Sequence, residues 1–239
     1  CKVSVMTMEL EQFINSRSEH PSPEEILEWA WASFAPRIVA TSSFQTQSVP
    51  LLHMIGRVCP EMPVTFIDTG FHFPETLAFR DELVERFGLN LVVVKPDLSP
   101  EAFLEQYGED IFYTNPDLCC HVNKVQPMQC ALNGMVAWVA GVRRDQTRNR
   151  LSLAGLVPQI SGVIKVHPLL EWTRVQVEAY RQEHDLLAHP LYDKGYLSVG
   201  CQPCTVPVYS VEDERAGRWT GMGKRECGLH IDGAESSER

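Results

Sequence analysis

The sequence predicts an α/β protein with a doubly wound, mostly parallel sheet. Three observations carry this. Short apolar runs alternate with longer amphipathic ones from Arg37 to His184, the signature of strands joined by crossover helices. Several of the apolar runs end in polar, glycine-bearing or arginine-rich turns, where an open parallel sheet places its ligand crevice. With 239 residues, 44% of them hydrophobic, the chain has the means to bury a substantial core, most simply in one large domain.

Taken in order, residues 7 to 35 carry two helical patterns, the second opened by Ser22-Pro23-Glu24-Glu25, a cap with proline at the first helical position and acids in the first turn. Arg37 to Thr41 reads as a buried strand and runs through Ser42-Ser43-Phe44-Gln45-Thr46-Gln47-Ser48 into a helix from Val49 to Val58. Such a polar turn offers hydroxyls and backbone N–H groups to an anion, although its serines also make ordinary caps. Val64 to Ile67 is the second strand, ending in Asp68-Thr69-Gly70, with a helix from Pro74 to Phe87 beyond it. Leu91 to Val94 is the third strand and Pro100 to Tyr107 the next helix. Cys119 and Cys120 then precede a helix expected from Lys124 to Asn133 and a strand expected from Met135 to Val142.

The loop from Arg143 to Arg150 is dense in guanidinium groups, and its place at a strand end favours oxyanion binding over a merely solvated surface. Ile164 to Val166 reads as a further strand and Thr173 to His184 as a last amphipathic helix. Beyond Pro207 the pattern dissolves into charge and glycine, so residues 1–206 are expected to form the α/β domain and residues 207–239 a mobile arm.

The formal charge of -10 excludes a general nucleic-acid or membrane-surface binder while leaving room for local basic clusters. Eight cysteines are too sparse for a disulfide scaffold, no leader pattern stands at the first residues, and the apolar runs are too short to span a bilayer. A cytoplasmic, reducing setting is expected, in which thiols serve as ligands or nucleophiles. Whether the chain forms a homo-oligomer is left open.

Two cysteine pairs organise the chemistry. Cys201 and Cys204 stand in a Cys-Xaa-Xaa-Cys turn, and Cys119 and Cys120 are the other closely paired thiols. A redox pair, a four-thiolate zinc site and an iron-sulfur cluster all use such spacing. Adjacent cysteines fit a single tetrahedron poorly but can each take a different iron, which favours the cluster. Cys227 lies between Lys224-Arg225 and Gly228, a setting that promotes the thiolate, against the plain alternative of a surface cysteine in a tail. Cys59 and Cys130 sit in apolar helical contexts and are expected in the core, and His53, His72 and His121 read as ordinary polar partners.

Together these residues resemble the assimilatory sulfonucleotide reductases, thioredoxin-dependent enzymes of the adenine-nucleotide alpha-hydrolase-like fold that act on adenylyl sulfate or phosphoadenylyl sulfate. The resemblance covers nearly the whole chain. It rests on the Ser42 to Ser48 loop, Asp68-Thr69-Gly70, the Arg143 to Arg150 loop, both cysteine pairs, Glu214-Arg215-Ala216-Gly217-Arg218-Trp219 and Glu226-Cys227-Gly228-Leu229-His230.

It implies a 4Fe-4S cluster on Cys119, Cys120, Cys201 and Cys204, a catalytic Cys227, and Lys124 between cluster and substrate. It further implies that Ser42, Ser43, Asp68, Thr69 and Gly70 hold the adenosine, while Lys124, Arg143, Arg150, Arg215 and Arg218 hold phosphate and sulfate. The expected partners are adenylyl sulfate and a thioredoxin or glutaredoxin-like reductant. ATP-splitting relatives carry glycines where this chain has Phe44-Gln45, so an ATP pyrophosphatase is the alternative of the same fold, and a non-enzymatic metal module the alternative of another class.

Overall fold

A computed structural model describes residues 21–159, 162–208 and 213–229, so the helical pattern expected before residue 20 and His230 lie outside the described residues. The first described element, α1 (Pro23–Phe34), shows how local sequence sets a boundary. Ser22 Oγ accepts from Glu25 N at 3.2 Å while the Glu25 carboxylate accepts from Ser22 N at 2.8 Å, and Pro23 supplies a preset backbone angle where no N–H is needed. Its buried stripe of Leu27, Ala30 and Phe34 packs on the sheet's main core.

The strands are β1 (Ile38–Thr41), β2 (Pro63–Ile67), β3 (Asn90–Val94), β4 (Ala137–Ala140), β5 (Leu156–Pro158) and β6 (Ile164–Val166), ordered β3-β2-β1-β4-β6-β5. All neighbours run parallel except β5, which pairs antiparallel with β6 at one edge. Short β5 was not among the expected strands, because three residues give no readable period. The central β4 is buried along its whole length, as a parallel strand covered on both faces must be.

Helices α2 (Val49–Val58), α3 (Pro74–Phe87), α4 (Pro100–Tyr107) and α5 (Ile111–Thr114) follow in order, and α8 (Arg174–Glu183) closes the domain. Between them stands one continuous helical run: α6 (Pro116–Cys120), a π-helical stretch over His121–Val125, and α7 (Gln126–Ala131). The expected helix start at Lys124 is therefore corrected. The helical run starts at Pro116, eight residues before Lys124, with the cysteines in the last turn of α6 and Asn115 as its cap, whose Oδ1 accepts from Leu118 N at 3.1 Å. Cys59 is buried as expected, but Cys130 is exposed, because its side of α7 faces solvent.

Chain order reverses between β1, which continues to β2 and β3 on one side, and β4 on the other. This is the switch point where an open α/β sheet leaves a crevice at its carboxyl edge. Trp138 Nε1 donates to Thr41 Oγ1 at 2.7 Å and fixes the floor there. Among the described residues, no helix is long and apolar enough to cross a membrane.

Candidate active site

A cavity of about 150 Å³ opens at that switch point. Thr41, Ser42 and Ser43 line it from the β1 side, and Ala140, Gly141 and Val142 from the β4 side. The loop after β1 is held by its own side chains. Ser42 Oγ accepts from Phe44 N at 3.0 Å, and Phe44 takes a left-handed φ of 51°, unusual outside glycine, with its ring fully buried edge-on to Phe66 at 5.7 Å. Gln45 Oε1 accepts from Val199 N at 3.0 Å, tying this loop to the segment that leads into Gly200 and Cys201.

The four paired thiols meet beside this cavity. Cys119 and Cys120 come from α6, and Cys201 and Cys204 from a turn in which Cys204 N donates to Cys201 O at 3.0 Å and Gln202 N to Phe71 O at 2.7 Å. All four are free and buried, and Cys119, Cys120 and Cys204 pack in one apolar cluster with Phe103 and Trp219. Donors face the sulfurs: Thr69 Oγ1 lies 3.4 Å from Cys201 Sγ and Asn123 Nδ2 3.8 Å from Cys119 Sγ. Burial pushes the Cys119 thiol up to about 12, helped by Cys120, Cys201 and Cys204, and the Cys120 thiol up to about 11 against the pull of Lys124. Cys201 moves the other way. Its burial is outweighed by Lys124, the Thr69 hydroxyl and Arg218, which hold its pKa below the usual thiol value. Lys124, within the π-helical stretch, keeps its charge against burial because Cys201, Cys120 and Cys227 surround it, and its pKa is raised. Among the described residues no three His, Cys, Asp or Glu side chains close around a single metal ion.

Residues 213–229 lie over the cavity and are pinned by buried ion pairs. Thr205 and Arg218 form an antiparallel bridge, and Trp219 N donates to Cys204 O at 3.1 Å. Gly200 leaves room for Arg218, since a Cβ there would stand 2.2 Å from its Nη2 and the guanidinium would have to shift. Arg150 donates to Glu226 through Nε at 2.9 Å and Nη2 at 2.7 Å, Thr147 adds a bond at 3.0 Å, and Arg215 Nη2 approaches at 3.4 Å. Burial alone would raise the Glu226 pKa, but Arg150, Arg215 and Thr147 hold it below the usual carboxylate range. Lys165 Nζ donates to Leu229 O at 2.9 Å. Between these two ties stands Cys227, half-buried and lining the cavity.

The structure brings Ser42, Ser43, Lys124, Arg150, Arg215, Arg218 and Cys227 to one cavity wall. Asp68, Thr69 and Gly70 stand outside the lining: Asp68 Oδ1 accepts from Gly70 N at 3.0 Å, Asp68 Oδ2 is 3.8 Å from Lys95, and Thr69 backs Cys201. Arg143 is also outside it, 1% exposed, with its guanidinium spent on Asp145 at 2.9 Å, Gln47 at 2.7 Å and Glu214 at 3.3 Å. Arg215 Nε and Arg218 Nε are buried without a partner among the described residues, and both side chains line the cavity. Sequence reasoning gave no individual role to Gln47 or Gln146, and read Gln45 only as a replacement for a loop glycine and Glu226 only as part of the Cys227 motif. Their partners are as far as 154 residues away, and only the place of Glu226 beside Cys227 hints at its part.

An open parallel sheet with a cationic crevice at its switch point, capped by a segment that presents a thiol, defines a nucleotide-binding α/β protein equipped for sulfur chemistry. The sequence profile described as "Phosphoadenosine phosphosulfate reductase domain" matches residues 37–207, and the chain belongs to this family of sulfonucleotide reductases. The adenosine 5'-phosphosulfate reductase of Staphylococcus haemolyticus is 39% identical over 235 residues, 96% of each chain. The phosphoadenosine 5'-phosphosulfate reductase of Gloeobacter violaceus is 45% identical over 217 residues, 89% of this chain and 90% of that one. Among solved structures, the phosphoadenylyl-sulfate reductase of Candida auris in a phosphate complex superposes with a TM-score of 0.69 at 33% identity, covering 78% of this chain and 91% of its own. The Candida glabrata FMN adenylyltransferase, at 18% identity and a TM-score of 0.57 over 78% of this chain and 61% of its own, shares the fold.

Proposed function

We propose that the protein reduces adenylyl sulfate to sulfite and AMP, with a thioredoxin or glutaredoxin-like dithiol as electron donor. The observation that carries this reading is the meeting, in one cavity, of Cys227 with Lys124 and the unpartnered buried donors of Arg215 and Arg218. Buried guanidinium donors without acceptors are costly, and a phosphosulfate group would satisfy them.

In the proposed reaction the Cys227 thiolate attacks the sulfur of the sulfate group, the bond from that sulfur to the bridging oxygen breaks, and AMP leaves with the electron pair. The product on the enzyme is an S-sulfocysteine. A donor thiolate attacks Cys227 Sγ, releasing sulfite and forming a mixed disulfide, and the donor's second thiol resolves it and restores Cys227. Negative charge builds on the departing phosphate, where Lys124, Arg215 and Arg218 are fixed before the reaction begins.

The cavity is smaller than the roughly 300 Å³ at which small-molecule sites begin, so residues 213–229 would open for the nucleotide and for the reductant and close between. Ser42 and Ser43 border the space left for the nucleotide. Four free buried thiols from two segments, with donors facing two of the sulfurs, suit a 4Fe-4S cluster held by Cys119, Cys120, Cys201 and Cys204. Ligand sulfurs on a cluster stand on separate irons and need not close on one ion as zinc requires. Such a cluster would supply a fixed electrostatic neighbour to Lys124, and free thiols of this kind belong in a reducing compartment such as the cytoplasm.

The test is catalytic efficiency on adenylyl sulfate against its 3'-phosphorylated form, with thioredoxin. Preference for adenylyl sulfate is expected. Preference for the phosphorylated form would move the protein to the activity for which the Gloeobacter relative is named.

A further inference from the structure

At the amino edge of the sheet, opposite the cavity just described, the C-terminal ends of three helices converge. Arg57 stands in the last turn of α2, Arg86 in the last turn of α3, and His184 at the C-cap of α8. With His53 they line a second cavity of about 270 Å³. Gly56 allows the close approach, because a Cβ there would lie 2.4 Å from Phe87 O. A side chain at that position would push α2 from the end of α3 and separate the two arginines.

We propose that this cavity is a binding site for a small tetrahedral oxyanion, phosphate or sulfate, held by Arg57 and Arg86 with His53 and His184. Nothing in the reaction above uses these residues. In a chain of formal charge -10, neither arginine forms an ion pair among the described residues. Arg86 spends Nη2 on Asp185 O at 2.9 Å and Arg57 reaches the Tyr180 hydroxyl, so most of their donors stay available.

The imidazoles complete the cradle. His53 Nδ1 lies 3.0 Å from the Tyr180 hydroxyl, which itself faces Glu24 Oε1 at 3.5 Å. With the Tyr180 hydrogen directed to Glu24, the hydroxyl accepts from Nδ1–H and His53 Nε2 is left to take up a proton for the anion. The His184 ring stands 5.0 Å from His53.

Cations at helix C-termini also offset the helix dipoles. Three ends carry roughly one and a half negative charges together, which two guanidiniums slightly exceed, so the cavity is weakly cationic and turns strongly so only when an imidazole protonates. Burial, then His184, Arg57 and Arg86, hold the His53 pKa below its usual value. An anion among these groups opposes that, so binding takes up a proton and strengthens as pH falls.

The test follows the ring C–H resonances of His53 and His184 in the full chain while inorganic phosphate or, separately, sulfate is added with AMP in excess. Saturable shifts of both rings are expected, with the His53 titration moving to higher pH. The Arg57→Gln, Arg86→Gln double variant should bind at least about tenfold more weakly with sulfonucleotide turnover unchanged. Saturation at lower concentration by one ion than the other names the preferred oxyanion, and either order supports the site. No saturable shift, an equal shift from sodium chloride at matched ionic strength, or an unchanged midpoint in the double variant would overturn it. The readout sits on these imidazoles, so it is independent of whether AMP fills the other cavity.

Discussion

The core between the sheet and α1 is built from Leu27, Ile38, Val139 and Val166 and buries no charge at those positions, whereas the layer joining residues 213–229 to the domain buries Arg143, Arg150, Glu214 and Glu226. The first is held by apolar area, which is indifferent to pH and tolerant of substitutions that conserve shape. The second is held by ion pairs whose members are unstable apart, so it has two states, paired or released. The opening and re-docking proposed for residues 213–229 would be better served by the second kind of contact.

The sharpest break in this comparison is a substitution that leaves both layers standing and removes the chemistry. Cys227→Ser should abolish sulfite release while nucleotide binding, followed by equilibrium dialysis with AMP, stays near the parent value. Next, Glu226→Ala should cost about 3–5 kcal/mol of docking, since it leaves Arg150 buried without its carboxylate. Hydrogen exchange should then accelerate over residues 213–229 and remain unchanged in β1 and β4; equal acceleration in both would show that the layers are one unit.

Leu27→Ala should lower global stability by about 2–5 kcal/mol, read by denaturant unfolding, with little effect on docking beyond it. Acid supplies a graded version. The Glu226 pKa is below its unfolded value, so its contribution is complete above the unfolded carboxylate pKa of about 4.3 and is lost as pH falls through the folded one. Release of residues 213–229, followed by exchange or proteolysis, should therefore set in only at acid pH, and this dependence on pH should be lost in Glu226→Ala, where the segment is already loosened. The smallest effect belongs to Ser22→Ala, which removes half of the capping box on α1 and should cost about 1 kcal/mol with no change in turnover.

The same division explains what could be read in advance. The alternation of strands and helices, the capping box at Ser22 and the two cysteine pairs are local patterns, and the parallel order of five strands follows from them. The docking layer is made of pairs such as Arg150 with Glu226, 76 residues apart, and no local pattern announces them. Arg143 and Arg150 look alike in the sequence, yet one is locked to Asp145, Gln47 and Glu214 and the other lines the cavity. Only the fold separates them. The helix over Pro116–Ala131 was half legible, because its π-helical middle interrupts the period by which helices are recognised.

That wide turn sets a limit on chain length as well as on chemistry. A π segment accommodates one more residue per turn than the α-helix around it. Deleting a single residue between His121 and Val125 would restore the ordinary period and rotate everything on one side by about 100° relative to the other. Cys119 and Cys120 would stay where they are, but Lys124 and the turn after it would look in another direction. Substitutions in this stretch alter one side chain at a time, whereas an insertion or deletion alters the angle between two functional groups. Homologues should accordingly vary in composition here far more readily than in length.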